Sequence, residues 1–382
     1  MNGGSLIFDA VAEPQASAKW RARWERSWPD YRAWFLARGG ESGPSRAEAE
    51  AALARYMPEL VPVHRRLTRI AGGGDLAARF LATWCPPRYL GGCSVAAVTG
   101  EGGTRLLRNY DLAPELNEGL LLRSEWTGRP VMGMVEFLWG LSDGVNGAGL
   151  AAALAYGGHP ETAEGFGVTT LMRYVLETCG SVPEAIAALR RIPSHMAYNV
   201  TLADRTGRTA TLELWPGGGL ALCRPAIATN HQRSRDAGAR PDPGQSRDRR
   251  AHLERLLRGA PPPDRLAEAF LEPPLYRRDH AGGFGTLFTA VYDPAAGALS
   301  LLWPDRRWHQ ALDAFEEGRR VIRYAAGPGA ATTPAGGAEL AAALQALRPW
   351  LSRPGAAALD RWCEEARGGH CDWAAFGRAF SC

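Results

Sequence analysis

The chain has 382 residues, enough for a sizeable core in one large domain or in two or three ordinary ones. With 46% hydrophobic and 22% charged residues it is neither disordered nor collagen-like, and it reads as a folded soluble protein. Its 44 bases against 40 acids give a formal charge of +4, and every base but Lys19 is arginine, as a GC-rich genome would encode. That balance makes no case for nucleic acid as a partner.

Met1 to Ser5 lack the basic segment and apolar run of a secretory signal, so a cytoplasmic location is expected. The uncharged Gly- and Ala-rich stretch from Gly144 to Gly158 is shorter than the roughly 18–20 apolar residues that cross a bilayer, so no membrane partner is implied. Seven scattered cysteines, an odd number, argue for reduced thiols rather than a disulfide framework.

In chain order, Trp20, Trp24 and Trp28 recur four apart and predict a helix to Ala37 with the indoles as packing anchors. Helices follow at Ser45–Tyr56, to Arg69 after the prolines, and from an Asp75 cap to Trp84, so the first 88 residues read as all-helical. Cys93–Val98 and Thr104–Tyr110, about a Gly-rich turn, predict a hairpin. Strands are expected at Gly119–Glu125, Val131–Phe137 and Leu150–Tyr156, then helices at Val168–Cys179 and Val182–Arg191. Tyr198–Asp204, Thr209–Trp215, Leu220–Arg224 and Ala226–Asn230 resume as strands. Ser234–Arg250 reads as an exposed loop with solvated charges leading into a helix at Arg249–Leu257, and Gly285–Asp293 with Ala298–Trp303 as another hairpin. Gly327–Gly337 reads as a linker before terminal helices at Glu339–Leu347 and Ala357–Ala366. The expected organisation is a helical N-terminal segment (1–92), a core (93–326) and a linker with a helical C-terminal tail (327–382). The core order suits an α+β fold, an αββα sandwich of two stacked antiparallel sheets with helices outside.

No phosphate loop, His-Glu-x-x-His, paired Cys-x-x-Cys or Gly-x-Ser-x-Gly is present. Cys363, His370 and Cys371 lack a matching fourth ligand, and no metal site is assigned. The informative stretch is Gly91-Gly92-Cys93, followed after the turn by Arg108-Asn-Tyr-Asp111. A thiol opening a strand after two glycines can reach the preceding carbonyl and cut its own chain at Gly92–Cys93. Its new α-amine, with a reference pKa of about 7.7–8.0, would then serve the thiol as general base. Pairing of the two strands would return Arg108 and Asp111 to the thiol, the guanidinium favouring the thiolate and the carboxylate orienting the amine.

Gly92-Cys93, Arg108-Asn-Tyr-Asp111, Asn199-Val-Thr-Leu-Ala-Asp204 and Ala228-Thr-Asn-His231 together resemble the isopenicillin-N acyltransferase-like, autoproteolytic branch of the N-terminal-nucleophile hydrolases. Bile-salt hydrolases and penicillin V acylases are similar more distantly. The resemblance spans about Gly92 to Trp303. It implies a four-layer αββα fold, a precursor cut before Cys93 into fragments of 92 and 290 residues, and C–N bond chemistry through an acyl thioester. By it, Cys93 is the nucleophile, Arg108 and Asp111 hold it, and Asn230 stabilises the oxyanion. Tyr156, through its backbone N–H, Asn199 and His231 are expected about the substrate; Asn199 and Asp204 could instead hold the local turn. The late arginine of the bile-salt branch finds no aligned match among Arg277, Arg278, Arg306 and Arg307.

The expected activity is transfer of an acyl group to an amine, in specialised metabolism, with hydrolysis of small N-acyl amides as the alternative. A non-catalytic binding protein of the same fold is the alternative of another class. No cofactor is implied. Acyl-CoA or an acyl carrier protein could bring the acyl group as a thioester, a small amine would accept it, and the cleaved N-terminal fragment would remain a partner.

Overall fold

A computed structural model describes residues 4–89, 91–235, 242, 244–280 and 284–324. They form β1 (Ser5–Ala12), α1 (Ala18–Ala37), α2 (Arg46–Tyr56), α3 (Val61–Ile70), α4 (Asp75–Ala82), β2 (Gly92–Gly100), β3 (Gly103–Asp111), β4 (Leu120–Ser124), β5 (Val131–Glu136), β6 (Gly140–Asn146) and β7 (Leu150–Tyr156). The chain continues through α5 (Val168–Thr178), α6 (Val182–Arg191), β8 (Tyr198–Asp204), β9 (Thr209–Leu214), β10 (Leu220–Cys223), β11 (Ile227–Ala228), α7 (Ser246–Arg258), α8 (Pro263–Phe270), β12 (Thr286–Asp293), β13 (Ala298–Trp303), β14 (Arg306–Ala311) and β15 (Gly318–Arg323).

Two sheets result. One has nine strands in the order β10-β9-β8-β7-β6-β5-β4-β1-β15, the other six in the order β11-β2-β3-β12-β13-β14. Pairing is antiparallel throughout except that β1 runs parallel to β4. Three apolar clusters follow from the alternation of side chains along the strands. Leu150, Ala152 and Leu154 of β7 face Leu171, Val175 and Leu189 of α5 and α6. Ala151, Ala153 and Ala155 face the other way, toward Cys93, Val95 and Ala97 of β2, in the layer between the sheets. Leu107 of β3 and Ile227 of β11 pack under Leu253 and Phe270 of α7 and α8. Helix thus lies outside each sheet. The uncharged stretch ending at Gly158 contains a central strand buried on both faces, and no described helix is long and apolar enough to cross a membrane.

The all-helical reading of the N-terminal segment needs correction: it opens with β1, whose Leu6, Phe8 and Ala10 point into the inter-sheet layer. The helices after it stand as expected. Trp20 stacks on Trp24 with centroids at 5.4 Å and Trp24 on Trp28 at 4.4 Å. Ser45 makes a reciprocal capping box with Glu48. Gly74, not Asp75, occupies the cap of α4, and Asp75 opens its first turn.

Sequence reasoning also passes over β6, which carries glycines at 140 and 144. Their job is close approach: a Cβ at Gly144 would lie 2.9 Å from Leu176 Cδ1 of α5, and one at Gly140 would lie 2.5 Å from Thr169 Oγ1. The linker and terminal helices, with Cys363, His370 and Cys371, lie outside the described residues.

Phe8 is fully buried against Phe288 and Trp303. Phe8→Ala is expected to cost about 3–5 kcal/mol in urea unfolding, because it opens a void between β1 and the six-stranded sheet.

Candidate active site

Register brings the site together. Antiparallel pairing of β2 with β3 sets Gly92 opposite Asp111 and Cys93 opposite Tyr110. Pairing of β11 with β2 sets Ala228 opposite Val95, so the chain two residues further on, at Asn230, reaches Cys93. Alternation then sorts the side chains. Cys93 and Tyr110 point between the sheets, while Ser94 and Asn109 point toward the helices, where Asn109 Nδ2 donates to the carbonyls of Phe270 and Leu275 at 2.8 and 3.0 Å.

Cys93 is 1% exposed. Arg108 Nη2 lies 3.3 Å from its Sγ. The guanidinium is itself fixed: Nη1 donates to Asp143 Oδ2 and Ser142 Oγ, both at 2.9 Å, and its plane lies 4.1 Å over the Tyr110 ring. Asp143 receives a second bond from Tyr292 OH at 2.9 Å, so the arginine's counter-ion is anchored in turn. Burial pushes the Cys93 thiol up to about 11, against the opposing pull of Arg108.

At the backbone end of the same residue, Cys93 N–H donates to Asn230 Oδ1 at 2.9 Å. Asn230 Nδ2 donates to the carbonyl of Gly91 at 3.1 Å and to that of Tyr156 at 3.4 Å. Asp111 Oδ1 accepts from Thr286 Oγ1 at 2.7 Å, whereas its buried Oδ2 has no hydrogen-bond partner among the described residues. That oxygen lies close beside Gly92, where an added Cβ would stand 3.6 Å from it and 3.0 Å from Asp111 Cβ.

The residues expected about a substrate gather around Asn230. Asn199, 1% exposed, spends both amide protons on the carbonyls of Thr229 and His231, at 2.8 and 3.0 Å, and so pins the backbone on either side of Asn230. Both amide protons are thereby committed to positioning that backbone. His231 Nδ1 is 2.7 Å from Ser246 Oγ, in the first turn of α7, which ties the Asn230 segment to that helix. Tyr156 brings its carbonyl to Asn230, and its hydroxyl bonds the carbonyl of His159. Asp204 accepts from Thr206 N and Val182 N, holding its turn and the start of α6, as the structural alternative had it.

One residue was missed. Arg249 enters from α7: Nη1 donates to the Cys93 carbonyl at 2.5 Å and to Ser94 Oγ at 2.7 Å, Nη2 to Asn230 Oδ1 at 2.8 Å, and Nη1 stands 3.8 Å from Asp111 Oδ2. The reading of this stretch as solvated charge is wrong at Arg249 and Arg250, which are 1% and 5% exposed. The signal was helical spacing, since Ser246, Arg249, Arg250 and Leu253 form the buried stripe of α7. Among the described residues, Arg277, Arg278, Arg306 and Arg307 hydrogen-bond neither Cys93 nor Asn230, and a cleft of about 320 Å³ beside Arg123, Asn146 and Arg205 lies elsewhere.

A cysteine whose sulfur faces an anchored guanidinium and whose nitrogen faces a carboxamide, at the rim of a two-sheet fold, defines a thiol-centred site suited to acyl chemistry. Residues 98–308 match the family model described as acyl-coenzyme A:6-aminopenicillanic acid acyl-transferase, and the chain belongs to that family. Acyl-transfer chemistry is thereby its class of activity. The matched span starts five residues after Cys93 and includes Arg108, Asp111, Asn230 and Arg249.

Among solved structures, penicillin V acylase from Agrobacterium tumefaciens is 16% identical with a TM-score of 0.39, over 60% of this chain and 86% of that one. A Cys-to-Ala mutant of the conjugated bile acid hydrolase from Clostridium perfringens is 14% identical with a TM-score of 0.38, over 61% and 97%. The Caenorhabditis elegans ortholog of N-acylethanolamine-hydrolyzing acid amidase is 14% identical with a TM-score of 0.40, over 60% and 100%. No protein of curated function matches the sequence.

Arg249→Ala should destabilise the fold by about 3 kcal/mol or more in urea unfolding, since it strips a buried charged donor from the Cys93 carbonyl, Ser94 and Asn230 at once. Arg265→Ala, at an exposed pair with Glu268, should shift it by less than about 1 kcal/mol.

Proposed function

We propose that the chain cuts itself between Gly92 and Cys93, and that Cys93 then carries an acyl group from a thioester or amide donor to an amine. In the first step the Cys93 thiol adds to the Gly92 carbonyl. The C–N bond breaks as the C–S bond forms, the former amide nitrogen takes up the thiol proton, and water hydrolyses the resulting thioester. Fragments of 92 and 290 residues result, the second beginning with a free α-amine.

The observation that carries this reading is the grip on Cys93 from both sides, its nitrogen 2.9 Å from Asn230 Oδ1 and its sulfur 3.3 Å from Arg108 Nη2. Neighbouring features agree with it. Asp111 Oδ2, which accepts no hydrogen bond among the described residues and has Arg249 Nη1 3.8 Å away, lies beside Gly92, where an ammonium at Cys93 would find a counter-ion. The carbonyl of Gly91 occupies Asn230 Nδ2, and departure of that carbonyl would free the donor for an oxyanion.

In turnover the α-amine takes the thiol proton and the thiolate, facing Arg108, attacks the donor carbonyl. Asn230 Nδ2 holds the tetrahedral oxyanion, and the leaving thiol or amine departs protonated by the same α-ammonium. An amine then resolves the acyl-Cys93 thioester. The family's description, with a coenzyme A thioester as donor and an aminopenicillanic acid as acceptor, supports a thioester donor and an amine acceptor. Residues 1–92 would be the cleaved segment and 93–326 the αββα catalytic core, its helices outside two stacked sheets.

Intact-mass measurement on purified protein should show two chains parting at Gly92–Cys93. Cys93→Ala should stay whole and inactive, and Cys93→Ser should cut slowly. A single uncut chain with a Cys93 inert to iodoacetamide at pH 8 overturns the proposal. Asn230→Ala, measured on protein that has been cut, should lose about 10²–10³-fold in kcat. Incubation with an acyl thioester and a panel of amines separates transfer, which yields amide, from hydrolysis, which yields only free acid.

A further inference from the structure

A cut between Gly92 and Cys93 breaks one backbone bond and none of the contacts that hold the first fragment. Its strand β1 lies within the nine-stranded sheet, between β4 and β15, and Trp20, Leu53 and Phe80 of its helices share one apolar cluster with Leu171 and Val175 of α5. Close to the new end the chain is tied down again. Cys85 N donates to the Gly165 carbonyl at 2.8 Å, the Trp84 ring lies 4.7 Å from that of Phe166, and Arg88 Nη1 donates to the Pro160 carbonyl at 3.1 Å. Past these anchors the fragment has four residues left, Tyr89 to Gly92, a reach of about 14 Å when fully extended.

This tail is itself gripped, and by the second fragment. The Tyr89 ring packs on Phe137 with centroids at 4.5 Å and on Tyr198 at 6.0 Å. Its hydroxyl accepts the N–H of Val168, the first residue of α5, at 3.1 Å, and its carbonyl accepts Tyr198 OH at 3.3 Å. Gly167 leaves room for the hydroxyl, since a Cβ there would stand 3.3 Å from it. Two residues on, the Gly91 carbonyl accepts Asn230 Nδ2 at 3.1 Å, and Gly91 lies against the Tyr110 ring, where an added Cβ would stand 3.2 Å from Cε2. All these partners lie beyond the scissile bond in the chain, so the contacts do not depend on that bond. At Gly92 the new carboxylate would face Asp111, beside Arg249 and the new ammonium of Cys93, and like and unlike charges oppose each other there. The grip therefore rests on Tyr89 and Gly91.

We propose that the cut enzyme is held in check by its own first fragment: Tyr89, seated against Phe137 and Tyr198, keeps the Gly91 carbonyl on Asn230 Nδ2 and withholds the oxyanion donor until the tail swings out. The inference rests on the self-cleavage reading above. Asn230 Nδ2 has two protons and both are spent, on the carbonyls of Gly91 and Tyr156, so an oxyanion finds a donor only when one carbonyl leaves. Tyr156 is fixed in β7, paired with Tyr198 of β8, whereas Gly91 sits on a free end, and it is the one that yields. The tail also stands in the donor's way, because the attack that cuts the chain makes Gly92 the first acyl group on Cys93. Residues before Gly92 thus lie where a later acyl group must enter. A tether this short gives an effective concentration in the millimolar range, so even weak docking competes with a donor. Turnover then scales with the fraction of molecules whose tail is out.

The test uses cut protein, its two chains verified by intact mass, and two readouts: the rate constant for alkylation of Cys93 by iodoacetamide, and the total acid and amide released from hexanoyl-N-acetylcysteamine with benzylamine present. Tyr89→Ala should raise both at least fivefold over the cut wild type. Removal of residues 89–92 from the wild type by a carboxypeptidase, followed by mass, should do the same, and free Tyr-Leu-Gly-Gly at millimolar concentration should slow the trimmed enzyme again. Equal rates in wild type, variant and trimmed enzyme mean that the tail leaves unaided, and overturn the proposal. A fall of both rates in Tyr89→Ala makes the tyrosine a mere support for α5, and overturns it too. A wild type that stays a single chain sinks the underlying reading and this one with it. Should Tyr89→Ala fail to fold or to cut, the trimmed wild type decides alone: residues 89–92 lost without a gain in either rate count against the inhibition.

Discussion

The buried ion pair between Arg108 and Asp143 is the constraint on which the site depends. Both partners are fully buried, so the pair is costly to assemble and leans on the hydrogen bonds around it. Asp143 is saturated by Arg108 and Tyr292, and Arg108 spends one arm on that carboxylate and on Ser142. The other arm is thereby aimed at Cys93 Sγ with little freedom to turn away. The pair also links the sheets, since Arg108 belongs to β3 of one and Asp143 to β6 of the other. A shift between the sheets would move the guanidinium off the sulfur, so their packing and the electrostatics at Cys93 are one property.

Around this fixed point the site is built from backbone carbonyls as much as from side chains. Asn199 holds the two carbonyls flanking Asn230, Arg249 holds that of Cys93, and Asn230 holds that of Gly91. Such contacts set the chain's path to within a hydrogen bond's tolerance, which acyl chemistry requires of its donors. They also leave the thiol of the continuous chain buried and largely protonated.

Much of the core was legible because the information is local. The β2–β3 hairpin follows from two apolar runs about a glycine turn, and α6 starts where Ser181 caps it. The proximity of Cys93 to Arg108 followed from that hairpin alone. What could not be read locally was missed for identifiable reasons. The partners of β1 lie more than a hundred residues away, so its alternating Leu6, Phe8 and Ala10 had nothing nearby to suggest a sheet. Strand β6 went unread because its glycines answer to the packing of α5 above them, a constraint that no local pattern displays. Arg249 was hidden in a charge-rich segment, and only the buried face of α7 distinguishes it from its solvated neighbours.

Among the described residues, strand β1 sits between β4 and β15 and is the only neighbour of β15 in the sheet. Completing the larger sheet therefore requires the two ends of the described chain to meet. Synthesised without its first ninety residues, the remainder would present two bare strand edges where β1 belongs, an invitation to self-association rather than to a working fold.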